Sequence, residues 1–154
     1  MYVVHLLSTA SAAVGRGLLA GLAGTAAMTV SSTLEARLRG RGPSSAPADA
    51  AAVVLGVRPE GEDGGLFGTL VHWGYGTGWG AVRGLLGAAG LRGIPATGAH
   101  LAVVLGGEQV VLPATGISGP TWTWSSEEIA LDLLHHSVYT VVTGVVYEAL
   151  DRTS

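Results

Sequence analysis

The stretch Leu70–Gly90, LVHWGYGTGWGAVRGLLGAAG, decides the fold. It holds seven glycines, yet it is long and apolar. Two structures fit such a segment: a glycine-rich loop that cradles a ligand, or a helix that needs glycine for another reason. A phosphate-binding loop follows a strand and usually ends in Lys followed by Ser or Thr, and neither feature is present. The spacing points to the helix. Gly68, His72, Gly76, Gly80, Gly84 and Ala88 recur every four residues, so on a helix they form one face of nearly bare backbone. A second stretch, Gly17 to Leu34, carries Gly17-x-x-x-Gly21-x-x-x-Thr25 with Gly24 beside it. Small residues at this spacing let helices approach closely enough for dispersion contacts and weak hydrogen bonds to hold them in lipid. The predicted helix-packing residues are Gly17, Gly21, Gly76, Gly80 and Gly84.

Composition agrees. Only 12% of the 154 residues are charged, against about 25% in an average soluble protein. That is too few to coat a soluble surface, and the mean hydropathy is +0.46. Low charge, high apolarity and abundant glycine read as an integral membrane protein. All eight basic residues are arginine, which we read as the composition bias of a GC-rich genome. A net charge of −3, with no basic stripe, argues against nucleic acid as a partner. Cysteine is absent, which excludes disulfides and thiolate metal sites.

Four apolar stretches approach the ~20 residues a helix needs to cross the hydrocarbon. They run over about 16–35, 66–90, 95–113 and 128–150. The third is short and carries Glu108. The first starts late and has no basic residue before Arg16, so it reads as a retained helix rather than a cleaved signal peptide. The N-terminal YVVHLLSTASAAV either extends it or lies on the membrane surface. The sequence therefore predicts an all-α, single-domain membrane bundle of four transmembrane helices. Its longest polar connection, 36–65, contains a short helix, Ala46–Leu55, started by Ser44 or Ser45 with Pro47 in its first turn. That helix is too short to span and is expected at the interface or against the bundle. Ser125-x-x-Glu128 is a capping box for the last helix, and Trp122 and Trp124 stand where an aromatic belt belongs.

Ionisable groups inside a membrane usually face the bundle interior. Counted from the predicted helix ends, His72, Glu108, Asp132 and His136 fall at similar depth, below the face that holds the first and third connections. They form a candidate polar layer. Asp132 and His136, four apart, share a helix face, whereas His135 points about 100° away from His136. A second layer near the opposite face comprises Arg83, His100 and Glu148, with Arg83–Glu148 a candidate ion pair. The first layer has the parts of a proton relay or metal site, or of structural hydrogen bonds between helices. No H-E-x-x-H, G-x-S-x-G or other catalytic motif is present, so no catalytic residue, cofactor or metal is assigned.

The stretches GLLAGLAGTAAMTVSSTLEARLRGRGPSSAPADAA, HWGYGTGWGAVRGLL, VVLPATGIS and ALDLLHHSVYTVVTGVVYEAL resemble small bacterial inner-membrane proteins of the YagU type and related actinobacterial proteins. The resemblance covers most of the chain, through small-residue helices, an arginine-rich exit after the first helix and a His pair in the last. It implies a multi-pass protein of the bacterial plasma membrane with four helices. It brings no catalytic or binding residues.

Arg37, Arg39, Arg41 and Arg58 lie on one side, and Arg16, Arg92 and Arg152 on the other. The tight cluster after the first helix places its side in the cytoplasm and both termini outside. Three functions remain open. The first is a non-enzymatic accessory or scaffold subunit that packs against other membrane proteins or a second copy of itself. The second is a small proton, ion or solute transporter using His72, Glu108, Asp132 and His136. The third is a membrane-embedded metalloenzyme built on the same side chains.

Overall fold

The structure, a computed structural model, describes residues 2–42 and 44–153, with side chains from Ser8 onward. It is all-α. Five helices follow in order: α1 (Tyr2–Leu38), α2 (Ala46–Leu55), α3 (Gly61–Ala88), α4 (Gly93–Thr115) and α5 (Ser126–Arg152), with a single 3-10 turn at Thr121–Thr123 before α5. No strand occurs among the described residues.

Each helix boundary has a local cause. α1 begins well before the predicted residue 16, because the apolar N-terminal stretch continues the helix instead of breaking from it. α2 takes Ser45 as its N-cap, with Pro47 in its first turn. The Ser45 hydroxyl donates to Asp49 Oδ2 at 2.7 Å instead of capping the backbone. α3 starts at Gly61, five residues before the predicted Leu66. Glu62 and Asp63 in its first turn complement the positive end of the helix dipole. The polar connection is correspondingly shorter than 36–65. α4 stops at Gly116, whose φ of 71° is a left-handed conformation that glycine adopts without strain. The capping box of α5 is formed on both sides. Glu128 N donates to Ser125 Oγ at 3.2 Å, and Ser125 N donates to Glu128 Oε2 at 2.7 Å.

α1 is the central element and packs against both α3 and α5. It runs antiparallel to each: residues 17, 21 and 25 meet 84, 80 and 76 in turn, and residues 16, 24 and 31 meet 151, 143 and 135. α4 leans mainly on α5 and α3, and α2 rests on α3 and α4 with Ala50 buried.

The interior is built of alanine, tyrosine and polar side chains, with Val104 and Leu112 the only larger aliphatics buried among the described residues. The largest fully buried side chains are Arg83, His100, Thr25, Thr140 and Thr143, whereas Leu19, Val30, Leu70, Ile94, Val110 and Val145 are all more than 60% exposed. Two helices are long and apolar enough to cross a membrane, over Ser8–Leu38 and Ser126–Arg152. α3 and α4 have the length, but glycine together with His72, Arg83, His100, Glu108 and Gln109 dilutes their apolarity.

Candidate functional site

The glycine spacing positions everything else. A Cβ built on Gly21 would lie 2.7 Å from Thr77 O, and one on Gly80 would run into the backbone of Gly17 and Gly21. Gly17 and Gly84 are equally closed, against α3 backbone and against the backbone of Ala13. Gly76 meets the side chain of Thr25, which is buried and donates back to Gly21 O at 2.7 Å. All five predicted packing glycines therefore lie in one α1–α3 seam, and at Gly17, Gly21, Gly80 and Gly84 backbone touches backbone. Gly24 serves a second contact: a Cβ there would lie 2.8 Å from Tyr139 O on α5.

This tight frame sorts the ionisable residues. Glu108 on α4 meets Asp132 and His136 on α5. One ligand atom from each lies within 4.8 Å of the other two. His136 Nδ1 sits 2.9 Å from Asp132 Oδ1 and 3.0 Å from Asp132 O. Both neighbours are acceptors, so Nδ1 carries a proton. Glu108 Oε2 is shut off from the surface and has no hydrogen-bond partner among the described residues.

His72, the fourth member of the predicted layer, faces elsewhere. Its Nε2 donates to Thr29 Oγ1 at 2.8 Å, and that hydroxyl donates on to Thr25 O at 2.7 Å. The reason lies in the glycine stripe. His72 is part of that stripe, the stripe faces α1, and so His72 must face α1 rather than α4. Because α3 begins at Gly61, His72 also sits about three turns into the helix, deeper than a start at 66 implies.

His135 faces α1 as well. Its Nδ1 is 2.9 Å from Ser31 Oγ and its Nε2 3.7 Å from Glu35 Oε2. Glu35 anchors an arginine cluster at the end of α1. It pairs with Arg39 at 3.2 Å and with Arg41, while Arg39 reaches on to Glu127 of α5. The hydrogen bond that Arg41 donates to Glu35 holds its guanidinium above the ordinary pKa. The Ser31–His135–Glu35 link was not identified from the sequence. The signal for it was there, since His135 had to point away from His136 and Glu35 lay on the same side.

Near the other end, Arg83 Nη2 lies 3.2 Å from Glu148 Oε1, and its guanidinium stacks 4.3 Å over the Tyr147 ring. Arg83 is completely buried. Glu148 Oε1 also accepts from Gly93 N at 2.5 Å, so one carboxylate neutralises the buried arginine and caps α4. Arg16 and Arg92 share Asp151, at 3.0 and 2.7 Å. His100 stands apart from this pair: it is fully buried and donates from Nε2 to Trp79 O at 3.0 Å.

In the Arg83–Glu148 pair only Nη2 is bonded to the carboxylate, and Nε and Nη1 are buried with no hydrogen-bond partner among the described residues. The Glu108–Asp132–His136 cluster has two carboxylates, one imidazole and an unused acceptor, so it can exchange a proton or hold a cation. Comparisons with family models, curated proteins and solved structures find no match to this chain.

Proposed function

We propose that this chain is a multi-pass protein of a bacterial plasma membrane, as its resemblance to YagU-type proteins implies, with α1, α3, α4 and α5 all spanning and α2 at the interface. It works as a non-enzymatic accessory or scaffold subunit packed against other membrane helices. The observation that carries this reading is the placing of the large side chains, with Arg83, His100 and three threonines fully buried while large aliphatics such as Leu19, Leu70 and Ile94 face outward. Water would drive the opposite arrangement, whereas lipid favours it. α3 and α4 join the spanning set because their 28 and 23 residues suffice for the ~20 needed and their polar side chains Arg83 and His100 turn inward.

The accessory role is supported by a second glycine face on α3. Gly74 and Gly78 have nothing within 4 Å of a Cβ and lie opposite the seam with α1. They form the floor of an open furrow of about 720 Å³ flanked by Phe67, Leu70, Tyr75 and Trp79. The furrow has no charged side chain, so its occupant is an apolar helix of a partner membrane protein that approaches the glycine floor closely. The test is a pull-down from native nanodiscs, read by mass spectrometry. A stoichiometric membrane partner that is lost in Gly78→Leu supports the role, and recovery of the chain alone counts against it.

A second reading, proton or cation transport, is favoured by the Glu108–Asp132–His136 cluster between α4 and α5. It predicts pH-dependent flux in liposomes that Glu108→Gln abolishes. Flux no greater than in empty liposomes removes it.

A further inference from the structure

We propose that Glu108, Asp132 and His136 form a binding site for one first-row divalent metal ion of the zinc type, clamping α4 to α5. The proposal does not depend on the scaffold or transport readings. It rests first on the donor set. The three side chains already converge to within 4.8 Å. Ligands held at about 2.1 Å by a tetrahedral zinc lie roughly 3.4 Å apart, so side-chain rotation closes the site without moving a helix. One imidazole with two carboxylates suits zinc and its first-row neighbours better than the all-oxygen shells of magnesium or calcium.

The second observation is the hydrogen bonding of His136. Its Nδ1 lies 2.9 Å from Asp132 Oδ1, close to the spacing of two ligand atoms on one zinc, so the ion takes the place of the proton that the two share. The third is charge. Every ion pair formed by an arginine among the described residues goes to Glu35, Glu127, Glu148 or Asp151. None reaches Glu108 or Asp132. Two carboxylates are thus left together without an arginine, and Glu108 Oε2 is enclosed and unpaired. Apart from the His136 ring beside Asp132, nothing positive faces the two carboxylates, and a divalent cation supplies further charge and the partner that Glu108 Oε2 lacks in one step. Three protein ligands leave a fourth position for water.

The site also lies where a clamp is useful. α4 makes no substantial contact with α1, the central helix, and its firmest neighbour is α5.

The experiment uses the full chain, tag-free, in detergent micelles and stripped with chelator. Zinc is then titrated calorimetrically and the bound metal counted by mass spectrometry. The expected result is one zinc per chain, weakened roughly tenfold or more by Glu108→Gln and by His136→Gln, and unchanged by His72→Gln. Zinc should also raise the thermal unfolding midpoint of the wild type and not that of the two cluster variants. Failure of the wild type to bind zinc overturns the proposal, as does full binding in the Glu108→Gln/His136→Gln double variant. Cobalt loaded into the wild-type protein tests the site even where a variant fails to fold. Its X-ray absorption should show a nitrogen/oxygen shell with a single imidazole, and a shell with none or with two overturns the assignment.

Discussion

The α1–α3 seam and the α4–α5 seam join helices in opposite ways. The first is built by removing side chains: Gly17, Gly21, Gly80 and Gly84 bring two backbones into contact. The second is built by adding them: Glu108 meets Asp132 and His136 across the gap, and Glu148 reaches from α5 to the first residue of α4. A backbone seam needs no partner chemistry but has no room for one added carbon. A side-chain seam accepts changes of shape but leaves a stranded polar group whenever one partner is lost. The two halves of the molecule should therefore fail under different kinds of substitution.

The largest failure belongs to the glycine seam. Gly80→Leu puts a branched side chain where even a Cβ overlaps the backbone of Gly17 and Gly21. The expected cost lies at the upper end of the overpacking range, about 3 kcal/mol or more, with α1 undocked from α3. Detergent-induced unfolding followed by circular dichroism and by cysteine-free crosslinking between the helices reads it directly. Normal stability in this variant would break the comparison, because it would mean that the seam is not closed by backbone.

Next comes the stranded charge. Glu148→Ala leaves Arg83, which is completely buried, without its counter-ion, and removing one partner of such a pair costs about 3 kcal/mol. The double variant Arg83→Met/Glu148→Gln removes the charge from both sides and should recover most of that loss. Thermal unfolding of the single and double variants decides the point. Equal destabilisation of both would show that the side chains matter here for shape, as in the glycine seam, and not for charge.

A smaller effect joins the two regions. Tyr139 on α5 donates its hydroxyl to Gly76 O on α3 at 2.6 Å, so it ties the side-chain half to the glycine half. Tyr139→Phe keeps the ring and removes one hydrogen bond, and should cost about 1 kcal/mol. A loss near that of Glu148→Ala would make the hydroxyl a main connection between the halves, which a single bond to an already bonded carbonyl does not predict.

The same contrast explains what could be read from the sequence. A backbone seam leaves a periodic trace, because every fourth residue must be small over several turns. The packing faces could be read from Gly17, Gly21, Gly76, Gly80 and Gly84 without knowing the fold, but not that the two faces meet each other rather than a second chain. The capping box at Ser125 and Glu128 was equally local. A side-chain cluster leaves no period, and depth along a helix places a residue only in a layer. Depth grouped His72 with Glu108, Asp132 and His136, but rotation about the helix axis decides which members meet. His72 was assigned at once to the glycine stripe and to the polar layer, and one residue cannot face both α1 and α4. The stripe prevailed because its contact allows no freedom: bare backbone fixes the rotation of α3, and His72 follows to Thr29. The partners of His135 were missed for the same reason, since Ser31 and Glu35 lie on α1, whose rotation is set by Gly21 and Gly24 together.

The smallest effect on folding is expected at a glycine that resembles the others in sequence. Gly78 lies two residues from Gly80 and in the same glycine-rich stretch, but it points away from α1, and a Cβ there meets nothing within 4 Å. Gly78→Leu should change stability by no more than about 0.5 kcal/mol, and a helix-favouring residue in place of glycine could even offset that. The substitution fills the furrow beside Leu70, Tyr75 and Trp79 while leaving the α1–α3 seam untouched. It therefore separates two uses of glycine in one helix, the face spent on internal packing and the face left for a partner. If Gly78→Leu keeps its thermal midpoint but loses its partner in nanodiscs, the outer face is a docking surface. If it unfolds like Gly80→Leu, α3 carries one continuous glycine surface in which every position serves the fold.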